Sequence, residues 1–394
     1  MSGPGRAVTA RDDFADELRG FALAGIAAAN APYLALSSAG FTDASVAATP
    51  DRAVAFAVAA FVQAKFYPLF AFLFGYSLSY ILAGGAEERF RVLRRRLAGL
   101  GVIGLAHAWL AFVADILFVY AVLGVALVWL ARRSDRAVLG TAAAACAVWL
   151  CLLAVLPLAE GSAPAEAVAN EFRRWDAVLA TGTFVQAALA RLALWPHVVV
   201  WVLLVNGAAI LALFCLGLVA GRRKLLADPA VHGRFWRASA VAGLLVGVPW
   251  ALASAWLTLG ADSSPSGAGA SQMLAIAIGL ASGPALTVAY VALLAILRAR
   301  AADALRFFRP AGRMSLTCYV GQSVILSLVF CGYGLGLFGR VGAAAVTAMA
   351  LATWLALDLL AYAWLRRHAR GPLEWALRWW SHRHYPEAPA RPGP

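Results

Sequence analysis

The sequence predicts an all-α protein, a polytopic membrane helical bundle of about ten transmembrane helices with both termini cytoplasmic. Three observations carry that reading. First, 62% of the 394 residues are hydrophobic and 13% are charged, against about a quarter charged in soluble domains, so the chain lacks the polar surface to stay in water. Second, the apolar residues come in runs of about 20, the length that crosses a hydrocarbon layer as a helix, rather than in the alternating ~10-residue segments of a membrane barrel. Third, the connections between runs are rich in arginine on one side only.

The spans fall at 18–40, 57–82, 97–113, 115–131, 138–158, 197–220, 238–260, 272–297, 314–334 and 344–365. With the N-terminus inside, 27 Lys and Arg lie in cytoplasmic segments when Arg19 at the inner edge of the first span is counted with the tail, five (Arg52, Arg173, Arg174, Arg191 and Arg340) lie outside, and Lys65 lies inside a span. One missed span would invert everything after it, so this split supports the count as well as the orientation. The same bias accounts for the net charge of +13 without nucleic acid as a partner. Residues 1–17 then form a cytoplasmic tail. Residues 18–366 form one integral-membrane domain with an outer amphipathic segment at 159–196, and 367–394 form a second cytoplasmic tail. Asp12, Asp13, Asp16 and Glu17 beside a long apolar run mark a retained first helix rather than a cleaved signal peptide. All five cysteines fall inside spans, where cysteine acts as a small hydrophobe, so neither a disulfide framework nor a metal site is expected.

Within the first span, Asp16, Arg19 and Asn30 lie within about 60° of one another around the helix axis, on one face. They read either as an inner anchor pair with a polar contact between helices or as a polar stripe leading inward. Lys65, in Gln63-Ala64-Lys65-Phe66-Tyr67-Pro68, lies about 12 Å from the outer end of the second span, where it can snorkel or line a site. The third and fourth spans form a hairpin with Arg94-Arg95-Arg96 inside, His107 about 15 Å deep and Asp115 at the outer turn. An ionisable group at that depth is costly and marks a functional site by default. Eight residues of straight helix separate His107 from Asp115 by about 12 Å, so contact requires the turn to fold Asp115 back.

In the segment 159–196, Val168, Phe172, Trp175 and Leu179 share one face, the pattern of a helix on the membrane surface. Residues 261–271 read as flexible connection. The ninth span opens with Gly312-Arg313-Met314-Ser315-Leu316-Thr317-Cys318-Tyr319 and continues through Gln322 and Ser323. Ser315, Tyr319 and Gln322 share a face, a polar set beside Arg313 that points to a cavity opening to the cytoplasm. Asp358 in the last span lies at a depth where it can pair with Arg313. Trp375, Trp379 and Trp380 read as an interfacial anchor, and 386–394 as a Pro-rich disordered end.

Taken together these stretches resemble the YeiB-like family of bacterial inner-membrane proteins, a domain-of-unknown-function family. The match spans Asp16 to Trp375. It rests on Asp16-Glu17-Leu18-Arg19-Gly20 with Asn30, Lys65-Phe66 before Leu73-Phe74-Gly75, His107 with Asp115-Ile116-Leu117 and Tyr120, the Gly312–Tyr319 stretch with Gln322-Ser323, and Gly371-Pro372-Leu373-Glu374-Trp375. Ala15, Ala71, Ala114 and Cys318 depart from the family's usual residues. The family in turn resembles the transmembrane acyltransferases, which include heparan-α-glucosaminide N-acetyltransferase. That resemblance implies a multi-pass protein of the cell inner membrane that moves an acyl group from a cytoplasmic acyl-CoA to a small-molecule or glycan acceptor reached from the other side.

On the acyltransferase reading His107 is the general base, since imidazole titrates near working pH, and Asp115 orients it. Asp16, Arg19, Asn30, Lys65, Arg313, Ser315, Thr317, Tyr319, Gln322 and Ser323 are the substrate-binding candidates, with the arginines on the phosphates of CoA. His107 also fits a core histidine hydrogen-bonded to a neighbouring helix. A solute transporter or channel using Lys65, His107, Asp115 and Asp358 is the second class, although no internal repeat of the kind common in transporters is visible. A non-catalytic membrane protein is the third. Membrane lipid is the one partner common to all three, and the sequence leaves the oligomeric state open.

Overall fold

The computed structural model describes residues 13–38, 40–41, 43–82, 87–158, 165–259 and 268–382. It is helical throughout, with no strand among the described residues. Residues 261–267 of the expected flexible loop 261–271 lie outside them, as does the expected disordered end 386–394, whereas 268–271 are helical.

Helices α1 (Asp13–Ala35), α2 (Thr49–Phe61) and α3 (Phe66–Leu82) are followed by the hairpin α4 (Glu87–Leu110) and α5 (Leu117–Leu130), then α6 (Asp135–Val155). Next come α7 (Ala165–Thr181), α8 (Phe184–Arg222), α9 (Gly233–Leu259) and α10 (Ala268–Arg300). The chain ends in a short α11 (Arg309–Arg313), α12 (Ser315–Phe330), α13 (Ala343–Leu365) and α14 (Pro372–His382). Among the described residues six helices are long and apolar enough to cross a membrane, or seven when α11 and α12 are taken with their 85° bend as one span. Large apolar side chains stay exposed on the helices' outer faces, including Val125, Leu245, Trp256 and Leu360. A water-soluble surface would not tolerate so broad an apolar belt, whereas lipid tails solvate it.

The ten expected spans coincide with helices, but three of them are poor crossings by themselves. Helix α1 carries Asp13, Asp16, Glu17 and Arg19 in its first two turns, and α4 carries the arginine run. Helix α5 has 14 residues, about 21 Å at the α-helical rise, short of a ~30 Å hydrocarbon layer. The second span is not one helix either. It breaks at Gln63–Lys65, where Ala64 takes a positive φ of 64°.

Two further expectations are corrected. Residues 159–196 are not one surface segment. Thr183 starts a new helix with a reciprocal capping box to Gln186, and α8 then runs unbroken for 39 residues, about 58 Å. Only α7 remains as a separate amphipathic helix, tucked against the bundle with Trp175 and Leu179 buried beside Cys331 and Phe338. Asp176 tethers it by accepting from the Ser37 hydroxyl (2.7 Å) and the Ser38 amide (2.8 Å). Second, Asp358 has no ion pair with Arg313. It accepts instead from the Ala311 amide at 2.8 Å, at the start of α11, where a free N–H needs a partner.

The basic connections gather at one end of the bundle. Arg222 pairs with Asp135 at 2.8 Å and donates to the carbonyls of Ala131 and Arg133. Glu17 takes Arg298 and Arg309, each at 2.9 Å, joining α1 to α10 and α11. At the same end α11 packs on α1 without side chains between them. A Cβ on Gly20 would strike the Phe308 backbone, and one on Gly312 the Asp16 carbonyl, so glycine at both positions is what lets the backbones approach.

Gly20→Leu should therefore unfold the purified protein several degrees earlier, an overpacking cost of about 3 kcal/mol. Gly140→Leu, where nothing lies within 4 Å of the new Cβ, should be neutral or slightly stabilising. Equal melting temperatures for the two variants in detergent would contradict this packing.

Candidate functional site

Helix α4 ends in the turn after His107, whose carbonyl accepts from Ala111 (2.9 Å) and Phe112 (3.0 Å). The chain then folds back over 111–116 into α5. Gly104 makes the fold tight, since a Cβ there would meet the Phe118 amide at 2.5 Å and the Asp115 carboxylate at 2.7 Å. The turn brings Asp115 back as contact with His107 requires. One carboxylate oxygen accepts from His107 Nδ1 at 2.7 Å, and the other accepts from the Phe118 amide at 2.8 Å. Asp115 thus caps the new helix and orients the imidazole with one side chain.

Both groups are buried, His107 at 3% and Asp115 at 4% exposure. Asp115 lies in the turn of the hairpin, where the sequence places it, and the turn is roofed by α8. Arg191 of α8, itself 1% exposed, donates to the Leu110 carbonyl (3.0 Å) and the Tyr333 hydroxyl (3.1 Å). A cation there complements the C-terminal end of α4. Trp195 packs edge-on against Trp109 and Phe118 from the same helix.

With Nδ1–H donated to the carboxylate, the second ring nitrogen keeps its lone pair. His107 Nε2 is buried and has no hydrogen-bond partner among the described residues. Tyr319 of α12 lies against the ring at 5.1 Å between centroids, and its hydroxyl is 3.5 Å from Asp115.

Tyr319 also lines a cavity of about 730 Å³, enclosed by α1, the α2–α3 break, the α4–α5 turn, α8, α9, α10 and α12. Asn30 and Lys65 share that wall, as do Ala114 and Ile116 on either side of Asp115. His107 and Asp115 stand behind it. The break that delivers Lys65 is held from α10, where Tyr290 donates to the Phe61 carbonyl (2.7 Å) and Thr287 to the Lys65 carbonyl (2.6 Å).

The other expected site residues go elsewhere. Asp16 and Arg19 pair with each other at the basic end, and Arg19 also donates to Ser77 at 2.6 Å. Thr317 is engaged by Glu374 of α14. That carboxylate accepts from the Leu316 and Thr317 amides and from the Thr317 hydroxyl (2.6 Å), capping α12 from another helix. Ser315 is half-buried and Ser323 fully buried, but neither lines the cavity. Gln322 is 1% exposed with both amide atoms unpartnered among the described residues, and Arg313 has a buried, unpartnered Nε.

Several contributors went unread in the sequence. Tyr67 donates to Asn206 at 2.9 Å on the cavity wall, and Tyr120 to the Tyr67 carbonyl at 2.7 Å. Asn206 stands alone in an apolar run, the same signal that singled out Asn30. Arg191 was counted as an outer-loop cation, although Ala190 and Leu192-Ala193-Leu194-Trp195 around it mark it as a charge set in an apolar stretch.

Fold and site together define a polytopic α-helical membrane protein with a buried histidine–carboxylate pair behind a half-open cavity. Residues 220–384 match a family described as a protein of unknown function, DUF418. The chain is 29% identical over 397 aligned positions to the uncharacterized protein YxaH of Bacillus subtilis (strain 168), covering 92% of each chain. It is 40% identical over 67 positions to the uncharacterized protein YeiB of Escherichia coli (strain K12), 17% of each. The chain is thus similar to the YeiB-like, DUF418 proteins. No solved structure matches it.

Arg191→Met should cost about 2 kcal/mol or more, because it removes a buried charged donor from the Leu110 carbonyl and the Tyr333 hydroxyl. Amide exchange should rise first at Ala111–Ile116. Unchanged protection of that turn would show that Arg191 does not hold it.

Proposed function

We propose that the chain is a membrane acyltransferase of the bacterial inner membrane, crossing it ten times with both termini cytoplasmic. Its donor is a cytoplasmic acyl-CoA, and its acceptor is a small molecule or glycan that enters from the opposite side. The observation that carries this reading is the buried Asp115–His107 pair, whose Nε2 is unpartnered beside Tyr319 on the cavity wall. In the reaction His107 Nε2 removes the proton from an acceptor hydroxyl or amine as that atom attacks the thioester carbonyl. The C–S bond breaks, and the leaving CoA thiolate takes the proton from the imidazolium. Asp115 steadies the positive ring while it lasts. Arg313, with an unused buried Nε, and the Arg94–Arg96 cluster supply cations for the CoA phosphates at the basic end. The crowding of arginine at that end supports its cytoplasmic placement.

A second reading, solute transport, draws on the helix breaks at Gln63–Lys65 and Met314, because discontinuous helices frame the binding sites of many transporters. Flux in proteoliposomes, lost on Lys65 substitution, would favour it.

Purified protein in lipid nanodiscs should be thermally stabilised by CoA and should transfer label from acetyl-CoA to a membrane extract. His107→Asn should keep the CoA stabilisation and reduce transfer about 100-fold or more, the usual share of a general base. Absence of both stabilisation and label transfer would sink the enzyme reading.

A further inference from the structure

The cavity wall has an unbalanced chemistry that the acyl-transfer scheme does not explain. Lys65 is 1% exposed, and its ammonium meets one polar partner, the Ala59 carbonyl at 3.3 Å. No Asp or Glu lines the cavity, and no carboxylate among the described residues lies within ion-pair distance of Lys65. A buried ammonium against one long carbonyl contact is poorly compensated, since removing a charge from water costs several kcal/mol unless a counter-charge or full hydrogen bonding replaces the solvent.

The neighbouring polar groups offer donors. Asn206 spends its side-chain oxygen on the Tyr67 hydroxyl, which leaves both amide hydrogens free. The side chains of Asn30 and Gln63, on the same wall, make no hydrogen bond among the described residues. The rest of the lining is largely apolar and includes Ile26, Val202, Leu257, Ile276 and Leu280. One cation, free N–H donors and no acid select for an anion, and the apolar remainder selects for a hydrocarbon part attached to it. About 730 Å³ is within the range of sites that enclose drug-sized ligands.

We propose that this cavity binds an anionic amphiphile, with its phosphate or carboxylate on Lys65 and the amides of Asn30 and Asn206, and its apolar portion against α8, α9 and α10. Naming that molecule as the acyl acceptor rests on the acyl-transfer reading; its binding does not. The break between α2 and α3 is then the device that points a cation inward. An unbroken helix would give the carbonyl of Phe61 no need of Tyr290.

The test uses the full chain in a neutral maltoside detergent, with native mass spectrometry and thermal unfolding as readouts. The probes are phosphatidylglycerol, phosphatidylcholine and glycerol 3-phosphate. Wild-type protein should retain one phosphatidylglycerol more firmly than phosphatidylcholine and be stabilised by it. Lys65→Met should weaken that retention about tenfold or more, the share of a charge-assisted hydrogen bond, and Lys65→Arg should restore part of it. Asn206→Leu gives an independent arm should Lys65→Met fail to fold. Retention equal to wild type in every folded variant would overturn the proposal. So would equal retention of phosphatidylcholine, and so would equal protection by glycerol 3-phosphate, which would make the ligand a free anion. His107→Asn should bind as wild type, so loss of acyl transfer and loss of amphiphile binding can be told apart.

Discussion

Backbone groups released at a helix end inside a membrane have no water to turn to, and the whole bundle is arranged around answering them. Several of the answers come from a side chain on a different element. Glu374 of α14 caps α12, Asp358 of α13 caps α11, and Asp51 of α2 accepts from Ala344 at 2.8 Å at the start of α13. The Phe61 carbonyl freed where α2 stops goes to Tyr290 of α10, and Thr287 of the same helix donates to the Lys65 carbonyl just before α3. Arg191 takes the carbonyl of Leu110, and Arg52 takes that of Leu259 at the end of α9 at 3.0 Å. These contacts tie together elements far apart in the chain, so the helix ends act as tertiary joints as well as terminations.

That constraint also sorts the polar residues by role. Asp358, Thr317, Glu374 and Arg191 are spent on backbone or on each other, and their burial needs no ligand to explain it. His107 Nε2, Gln322, the Arg313 Nε and the Asn30 amide are not spent. Asp115 belongs to both groups, capping α5 with one oxygen and turning the imidazole with the other. A group with two such duties is stiffly held, and it fixes the orientation of the imidazole.

The short hairpin gives the site its geometry. Because α5 is too brief to span by itself, α8 passes over its tip and contributes both Arg191 and Trp195. The cavity lies beside that roofed turn, bounded by the break at Lys65, and Tyr319 is the side chain that touches both the histidine and the open space. The arginines of the basic end and the amides of the cavity wall are thereby held at separate regions of one bundle.

The sequence by itself determined the class and the frame. Apolar runs of membrane length and a one-sided arginine distribution depend only on composition and order, so helix positions, the clustering of basic residues at one end and the presence of His107, Asp115, Asn30, Lys65 and Tyr319 as polar groups in apolar stretches were legible there. What it left undecided was which polar residues are consumed. Thr317 and Gln322 are both polar residues in one apolar helix, yet one is held by Glu374 from 57 residues away and the other has no partner among the described residues. Arg191 counted as an outer-loop charge until α8 proved continuous through it. The contact of His107 with Asp115 depended on a turn whose path Gly104 permits and α8 encloses. Such outcomes turn on hydrogen bonds between distant segments, and periodicity along a single helix carries no record of what lies across from it.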